Sequence, residues 1–331
     1  MGMTLGTVLV IGGSGSFGTA FIRTLLADNL ADRVVSVSRN AAKRYDLEQA
    51  IPDRRLSVVP GDVRQPEDLW PLFEQHPDVV VVAAAEKHIG TGEKYRDYAS
   101  ATNVEGAWNV IEHCHDYGVK RTLALSTDKA TQPIANHYGQ TKADAEEAYI
   151  AGSEHGCMMS LIRYGNVVGS SGSVIPLFMK QRQNGRLTVT DRRMTRYWMP
   201  LDDPGRCDLY VLQEPGSQPA MSAVRWALLA LEHMQGGEIF VPEIPSATVE
   251  DVARAIAPDA EIVEIGIRDG EKLHEDLIAP AESDRTWRVP FGGWAITPAD
   301  YNGDARGWSK VLPGFQYRSN QCLQPVRLER A

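Results

Sequence analysis

Six short runs of β-branched and apolar residues punctuate the first half of the chain: TVLVI, RVVSVS, LSVVP, DVVVVAAA, RTLALS and MMSLIRY. Between them lie stretches with apolar residues at helical spacing, among them FIRTLLADNL and NVEGAWNVIEHCHDYG. Strands that alternate with helices run parallel in one sheet, with helices on its two faces. Runs that are apolar at nearly every position fit strands covered on both sides. The pattern predicts an α/β fold, a doubly wound parallel sheet.

The rhythm changes after Tyr164. GNVVGSSGSVIP and VTDRRMTRYWMPLDDPG read as polar loops. Helical spacing returns in SAVRWALLALEHM and SATVEDVARAIA, where Ser246 is placed to cap the second helix. EIFVPE and AEIVEIG read as strands. The expected organisation is a sheet domain over 1–165 and a smaller α/β substrate region over 166–331, interleaved with the first. The Gly-, Pro- and aromatic-rich tail from Trp294 has no clear pattern, and no internal repeat appears.

Composition narrows the function. The formal charge is -9 with no long basic run, which argues against nucleic acid or an anionic membrane surface as partner. Cys114, Cys157, Cys207 and Cys322 are scattered, so neither a zinc site nor a disulfide framework is expected, and reduced thiols fit a cytoplasmic protein. TVLVIGG is too short for a membrane span or signal peptide. Gly6 stands where a myristoylation signal needs Ser or Thr.

VLVIGGSGSFG sets Gly12, Gly15 and Gly18 between the first strand and the first helix. Glycines there permit a tight turn and close phosphate approach, and the helix N-terminus offers free amides to a pyrophosphate. The sheet is therefore Rossmann-type and binds a dinucleotide. At the end of the second strand an acidic residue would select NAD. Ser38 and Arg39 stand there, with Lys43 one turn on, and a guanidinium pairs well with a 2′-phosphate. The expected cofactor is NADP. Asp62 and Val63, after the third strand, are placed to read an adenine edge, although Asp62 equally suits a helix cap.

Tyr138 and Lys142 share one helix face. A tyrosine with a free pKa of about 10 needs nearby positive charge to act as a base at neutral pH. Ser126 ends the preceding strand, and together these groups suit removal of a hydroxyl proton as hydride leaves the same carbon. Asp128 and Lys129 go beyond that chemistry. Once a sugar is oxidised at C4, its C5 proton is acidic: an amine can take it, and a carboxylic acid can protonate the departing C6 hydroxyl. A dehydratase uses the extra pair and a dehydrogenase does not. The alternative is a surface turn before Pro133.

The chain resembles the extended short-chain dehydrogenase/reductases, and among them the soluble UDP-N-acetylglucosamine 4,6-dehydratases that invert C5. The resemblance runs over about residues 7 to 290 and is carried by GGSGSFG, SRNAAK, GDVR, AAAEKH, TNVEGAWNVI, ALSTDKA, YGQTK, RYGNVVGSSGSVIP, DRRMTRYW, GGEIFVPEIPS and GIRDGEKLHE. It implies Lys129 as the C5 base, Asp128 as the acid at C6, Tyr138 as the C4 hydroxyl base, and Lys142 on the nicotinamide ribose. Lys87, Thr127, Asn166 and Arg196 would face the substrate, Thr127 within the catalytic set, while Arg268 and Glu271 would hold its nucleotide half. Ser14, Ser16, Phe17, Asn40, Ala83, Ala84 and Val167 would complete the cofactor site, and no metal is implied.

Some positions depart from the family pattern. Asp128 and Tyr138 stand ten apart, one more than usual, as though Ala135 or a neighbour were inserted. KHIGTGEKYRDYAS and RDGEKLHE differ from the usual forms, and YVLQEPGSQPAMSAVRW is longer. These changes bear on the sugar recognised. The function expected is an NADP-dependent nucleotide-sugar 4,6-dehydratase. A 4-epimerase, which leaves Asp128 and Lys129 idle, and a silent NADP-binding sensor are the alternatives. The helices around ATNVEGAWNVIEHC and YGQTKADAEEAYI are expected to pair in a homo-oligomer.

Overall fold

The computed structural model describes residues 4–153, 156–170, 173–203, 209–212, 221–299, 301, 307–323 and 327–330. The first half runs β1 (Thr7–Ile11), α1 (Ser16–Ala27), β2 (Arg33–Ser38), α2 (Ala41–Ala50), β3 (Leu56–Pro60), α3 (Pro66–Phe73), β4 (Val79–Val82), α4 (Ile89–Lys94), α5 (Arg96–Ser100), α6 (Gly106–Asp116), β5 (Arg121–Thr127), α7 (His137–Gly152) and β6 (Met158–Tyr164). The second half follows with β7 (Asn166–Val168), α8 (Val174–Gln181), β8 (Arg186–Val189), β9 (Thr195–Pro200), β10 (Leu209–Leu212), α9 (Ala223–His233), β11 (Ile239–Val241), β12 (Ser246–Thr248), α10 (Val249–Ile256), β13 (Glu261–Glu264), β14 (Asp276–Ile278), β15 (Thr286–Arg288), β16 (Trp294–Ile296), β17 (Ser309–Lys310), β18 (Tyr317–Arg318) and β19 (Arg327–Arg330).

The main sheet has the order β17-β15-β16-β11-β6-β5-β4-β1-β2-β3. From β3 to β11 every pairing is parallel; β16, β15 and β17 then extend the sheet antiparallel. This is the doubly wound architecture the alternating runs predict. The order reverses between β1 and β4, and in such sheets ligands bind outside the strand ends at that reversal. The four valines of β4 are all buried, as a central strand requires. Helices α1 and α9 pack together on one face, and α3, α6 and α7 on the other.

The sheet takes strands from both sides of residue 165. The Trp294 tail, which has no legible pattern, supplies β16 beside β11, with Trp294 opposite Val241. A second hydrophobic cluster lies apart from the sheet. Phe178, Leu187, Trp198, Val252 and Ile262 form its centre, contributed by α8, β8, β9, α10 and β13. One local expectation is corrected. Ser246 belongs to β12, opposite Tyr197, and its hydroxyl donates to the Ser319 carbonyl at 2.6 Å. With that hydroxyl engaged, Thr248 caps α10 instead, accepting from the Asp251 amide at 2.9 Å. Among the described residues no helix is long and apolar enough to cross a membrane.

Candidate active site

The glycine turn sits at the β1/β4 reversal. Gly12 has φ of +87°, and a Cβ there would lie 2.5 Å from the Ala84 amide nitrogen. A Cβ on Gly18 would lie 2.5 Å from Gly13 Cα. Both positions therefore require glycine, and Ala83 and Ala84 form the wall facing Gly12. Gly15 is the N-cap of α1 and brings no side chain to its free amides. This cradle fits a pyrophosphate, so the residues present suit a dinucleotide. Ser16 opens α1, whereas Phe17 is buried and stacks on Phe21 at 5.5 Å, toward the core.

At the far end of the cleft, Ser14 Oγ donates to Ser38 Oγ at 2.7 Å. Arg39 lies over Tyr98: Nη1 donates to the phenol at 2.7 Å and stands 3.7 Å from Asp62. Burial pushes the Asp62 carboxyl up, but the Arg64 hydrogen bonds and the Arg39 charge outweigh it and hold the carboxyl below its usual range. Asp62 thus pairs with Arg64 and caps no helix; Val63 is buried against Gly106. Asn40 caps α2 through the Lys43 amide at 3.0 Å. Burial, and then the charge of Lys43, lowers the Lys87 ammonium pKa, against the opposing charge of Glu86. Sequence reasoning missed Arg44, which donates to the Ser38 and Arg39 carbonyls at 2.7 and 2.8 Å and fixes the end of β2.

The chemical end forms where β5 gives way to a single 3-10 turn, Asp128–Ala130, before α7. Asp128 is fully buried, and its Oδ1 accepts from Thr127 Oγ1 at 2.9 Å and from Lys129 Nζ at 2.8 Å. Lys129 Nζ is also 3.7 Å from Glu275 Oε1, and Arg196 Nη2 approaches the same oxygen at 3.8 Å. Burial disfavours the Lys129 ammonium, but the two carboxylates outweigh it and raise its pKa above the usual lysine value. Tyr138 is pushed up to about 12, chiefly by burial, with the Lys129 charge and the Thr127 hydroxyl bond opposing. Lys142 donates to the Leu125 carbonyl at 2.6 Å, and burial lowers it to about 8. The ammonium that tempers Tyr138 is therefore Lys129, and further lowering needs positive charge from a bound cofactor.

The structure brings Thr127, Asp128, Lys129 and Tyr138 together and separates Ser126 from them. Ser126 Oγ donates to Glu146, whose carboxylate is held by Arg163 at 2.6 Å; Arg163 reaches on to Glu282 at 2.9 Å. The hydroxyl beside the phenol is Thr127's. Arg196, expected to face substrate, stands behind Lys129, its guanidinium donating to the Thr195 and Lys272 carbonyls. Asn166 and Val167 are partly buried on β7. Arg268 and Glu271 pair at 3.6 Å, Arg268 well exposed, on the rim beside Gly270. There a cavity of about 570 Å³ opens, lined by Glu93, Arg96, Asn136, His137 and Asp269; neither Lys129 nor Tyr138 lines it.

Two further residues carry the site without a motif that names their role. Asn103, on a π-helical turn before α6, donates to Thr141 Oγ1 at 2.9 Å and accepts from the Glu86 amide at 2.9 Å. It ties the segment after β4 to α7, the helix that carries Tyr138, and π-turns are frequent at functional sites. The other is Glu275. Cys114 and Cys157, scattered in the sequence, meet at the Thr122 hydroxyl at 3.2 and 3.5 Å. Among the described residues no group of His, Cys, Asp and Glu is placed to hold a metal.

Comparison with known proteins fixes the lineage. The polysaccharide biosynthesis protein family matches residues 8–214 and 220–291. The chain belongs to this family. It is 36% identical over 96% of its length, and 93% of the relative's, to an inverting UDP-N-acetylglucosamine 4,6-dehydratase of Campylobacter jejuni. It is 34% identical to a UDP-glucose 4-epimerase of Rickettsia felis, over 89% of this chain and 86% of that one. The crystal structure of Pen from Bacillus thuringiensis superposes with a TM-score of 0.82 at 27% identity, covering 98% of this chain and 95% of the other. Within the family, this chain thus has relatives named for dehydration and for epimerisation.

Proposed function

We propose that this protein is an NADP-dependent nucleotide-sugar 4,6-dehydratase that acts on UDP-N-acetylglucosamine and inverts C5. The observation that carries the reading is the pair of half-buried Lys129 and fully buried Asp128, 2.8 Å apart, on the turn that leads to Tyr138. A bound nicotinamide supplies a hydride acceptor at C4 and a donor at C6. Tyr138, with Thr127 beside it, takes the C4 hydroxyl proton. Lys129, as free amine, takes the C5 proton made acidic by the C4 ketone. Asp128, as acid, gives its proton to the C6 oxygen, which leaves as water. The proton needed between those two groups is one they share across a single hydrogen bond. Lys142 holds the nicotinamide ribose. Lys87 and Asn166 face the sugar, and Arg268 and Glu271 take the nucleotide.

Arg39 and Lys43 are read as the 2′-phosphate ligands, which requires Arg39 to leave Tyr98. The sheet region over 1–165 supplies cofactor and chemistry, and 166–331 supplies the substrate region. A homo-oligomer paired through α6 and α7 belongs to this reading, with Trp108 of α6 exposed to take part in the contact. Incubation with UDP-N-acetylglucosamine and weighing of the product is the test: loss of one water, with one solvent deuterium at C5 in heavy water, is expected. The Rickettsia felis relative favours a second reading, 4-epimerisation, which leaves the product mass unchanged. A product of unchanged mass, or one that keeps the substrate's C5 proton, overturns the dehydratase reading.

A further inference from the structure

Lys129 has a second carboxylate neighbour that the chemistry above does not use. Glu275 precedes β14 and is buried; its amide donates to Ser319 Oγ at 2.9 Å, and its carbonyl accepts from the Ser319 amide at 2.9 Å. The backbone is thus pinned and the carboxylate aimed at Lys129 Nζ, 3.7 Å away. Two buried oxygens of this cluster, Asp128 Oδ2 and Glu275 Oε2, have no hydrogen-bond partner among the described residues. Buried carboxylate oxygens are costly to leave unpaired, and such sites are commonly where protons move. The charged and titratable groups facing Lys129 are Asp128 from its own turn, Glu275 from the segment before β14, Arg196 from β9 and Tyr138 from α7; Lys272 faces Glu275 in turn.

We propose that Glu275 is a positioning residue: its buried carboxylate holds the Lys129 amine between itself and Asp128 and governs when that amine is free of its proton. The inference rests on the dehydratase reading. An ionised Glu275 keeps Lys129 as ammonium. When Glu275 is protonated, the ammonium is held by Asp128 alone, and one proton passed across that hydrogen bond leaves Lys129 a free amine and Asp128 a carboxylic acid. The amine then takes H5 as the C5–H bond breaks and its electron pair forms the enolate. That pair next expels the C6 oxygen, which carries away the Asp128 proton as water.

The test uses Glu275→Gln, which keeps size and removes the charge. Competitive acetylation of Lys129 with acetic anhydride, read by peptide mass in the substrate-free protein across pH, reports when the amine loses its proton. A unit charge at this distance shifts that midpoint by about one to three pH units. The midpoint in Glu275→Gln is expected to fall by that amount, and the rising limb of the dehydration rate to fall with it. Glu275→Asp, which keeps the charge about one methylene farther off, is expected to shift it less and carries the test if the Gln variant does not fold. Unmoved Lys129 acetylation overturns the inference even where wild type dehydrates UDP-N-acetylglucosamine. Wild type that binds the sugar nucleotide without losing water overturns the dehydratase reading instead, whatever the acetylation profile.

Discussion

Replacing Lys129 with Met leaves Asp128 and Glu275 facing each other without their shared cation. The two contacts, at 2.8 and 3.7 Å, correspond to about 6 and 4 kcal/mol at an effective dielectric of about 20 before desolvation is counted. Burying the ammonium offsets part of this, so the net loss expected at pH 8 is about 3–5 kcal/mol, typical of a broken buried pair. The loss depends on pH with a definite sign. Burial already raises the Glu275 pKa, and removing Lys129 takes away the charge that opposes it. A carboxyl whose folded pKa lies above its unfolded value gives full stability below the unfolded pKa and loses it as pH rises through the folded one. The Met variant should therefore be much weaker than wild type at pH 8 and approach it toward pH 5. Urea unfolding at the two pH values measures the difference, and the dehydration rate should fall about 10²–10⁴-fold. A deficit as large at pH 5 as at pH 8, or a rate within a few-fold of wild type, would refute the view of Lys129 as a half-buried ammonium poised to become the base.

Arg39→Ala should weaken NADP at least about ten-fold, a difference of about 1.4 kcal/mol, while leaving NAD nearly unchanged; fluorescence titration with each cofactor decides it, and equal losses sink the 2′-phosphate assignment. Lys142→Met should be inactive yet more stable at pH 7. Burial depresses the Lys142 pKa to about 8, so the wild-type unfolded chain binds more protons between that value and the unfolded value, and wild-type stability rises with pH across that window. The Met variant escapes a cost of about 3 kcal/mol and forfeits about 1 with the bond to the Leu125 carbonyl, for a gain of about 2 kcal/mol at pH 7. Thermal melts at pH 7 and pH 10 should show that gain shrinking at the higher pH.

The strands of the first half were legible because a central parallel strand must be apolar on both faces, which leaves dense runs such as that of β4. Much of the chemistry was legible for a different reason. Asp128, Lys129, Tyr138 and Lys142 come from one turn and the helix after it, so spacing brings them near one another, whereas Thr127 entered only through the resemblance. Glu275 escaped because its position depends on β14 and the Ser319 contact, and nothing local marks it as the partner of a lysine in another part of the chain. Asn103 and the Cys114–Cys157 approach were missed for the same reason: each depends on how helices pack across the sheet. Ser126 was misread next to Thr127 because adjacent strand residues point to opposite faces, and the pattern does not say which hydroxyl turns toward the phenol. The described strands after residue 280 are two to four residues long, too short to leave a periodic signature.

The chain of contacts from Ser126 through Glu146 and Arg163 to Glu282 bears on the order in which the protein comes into being. During synthesis the glycine turn, the Lys129 turn and the Tyr138 helix leave the ribosome first. Arg163 at that stage has Glu146 but not Glu282 or the Leu277 carbonyl, which it meets at 2.9 and 3.1 Å in the finished molecule. Strand β6 likewise lacks its outer neighbour until Ile239 and Phe240 arrive. A half-made chain therefore carries the proposed catalytic groups on a sheet with an open edge and a clamp closed on one side only. The site reaches its working geometry late, and a nascent chain that holds the reactive residues does not yet hold them still.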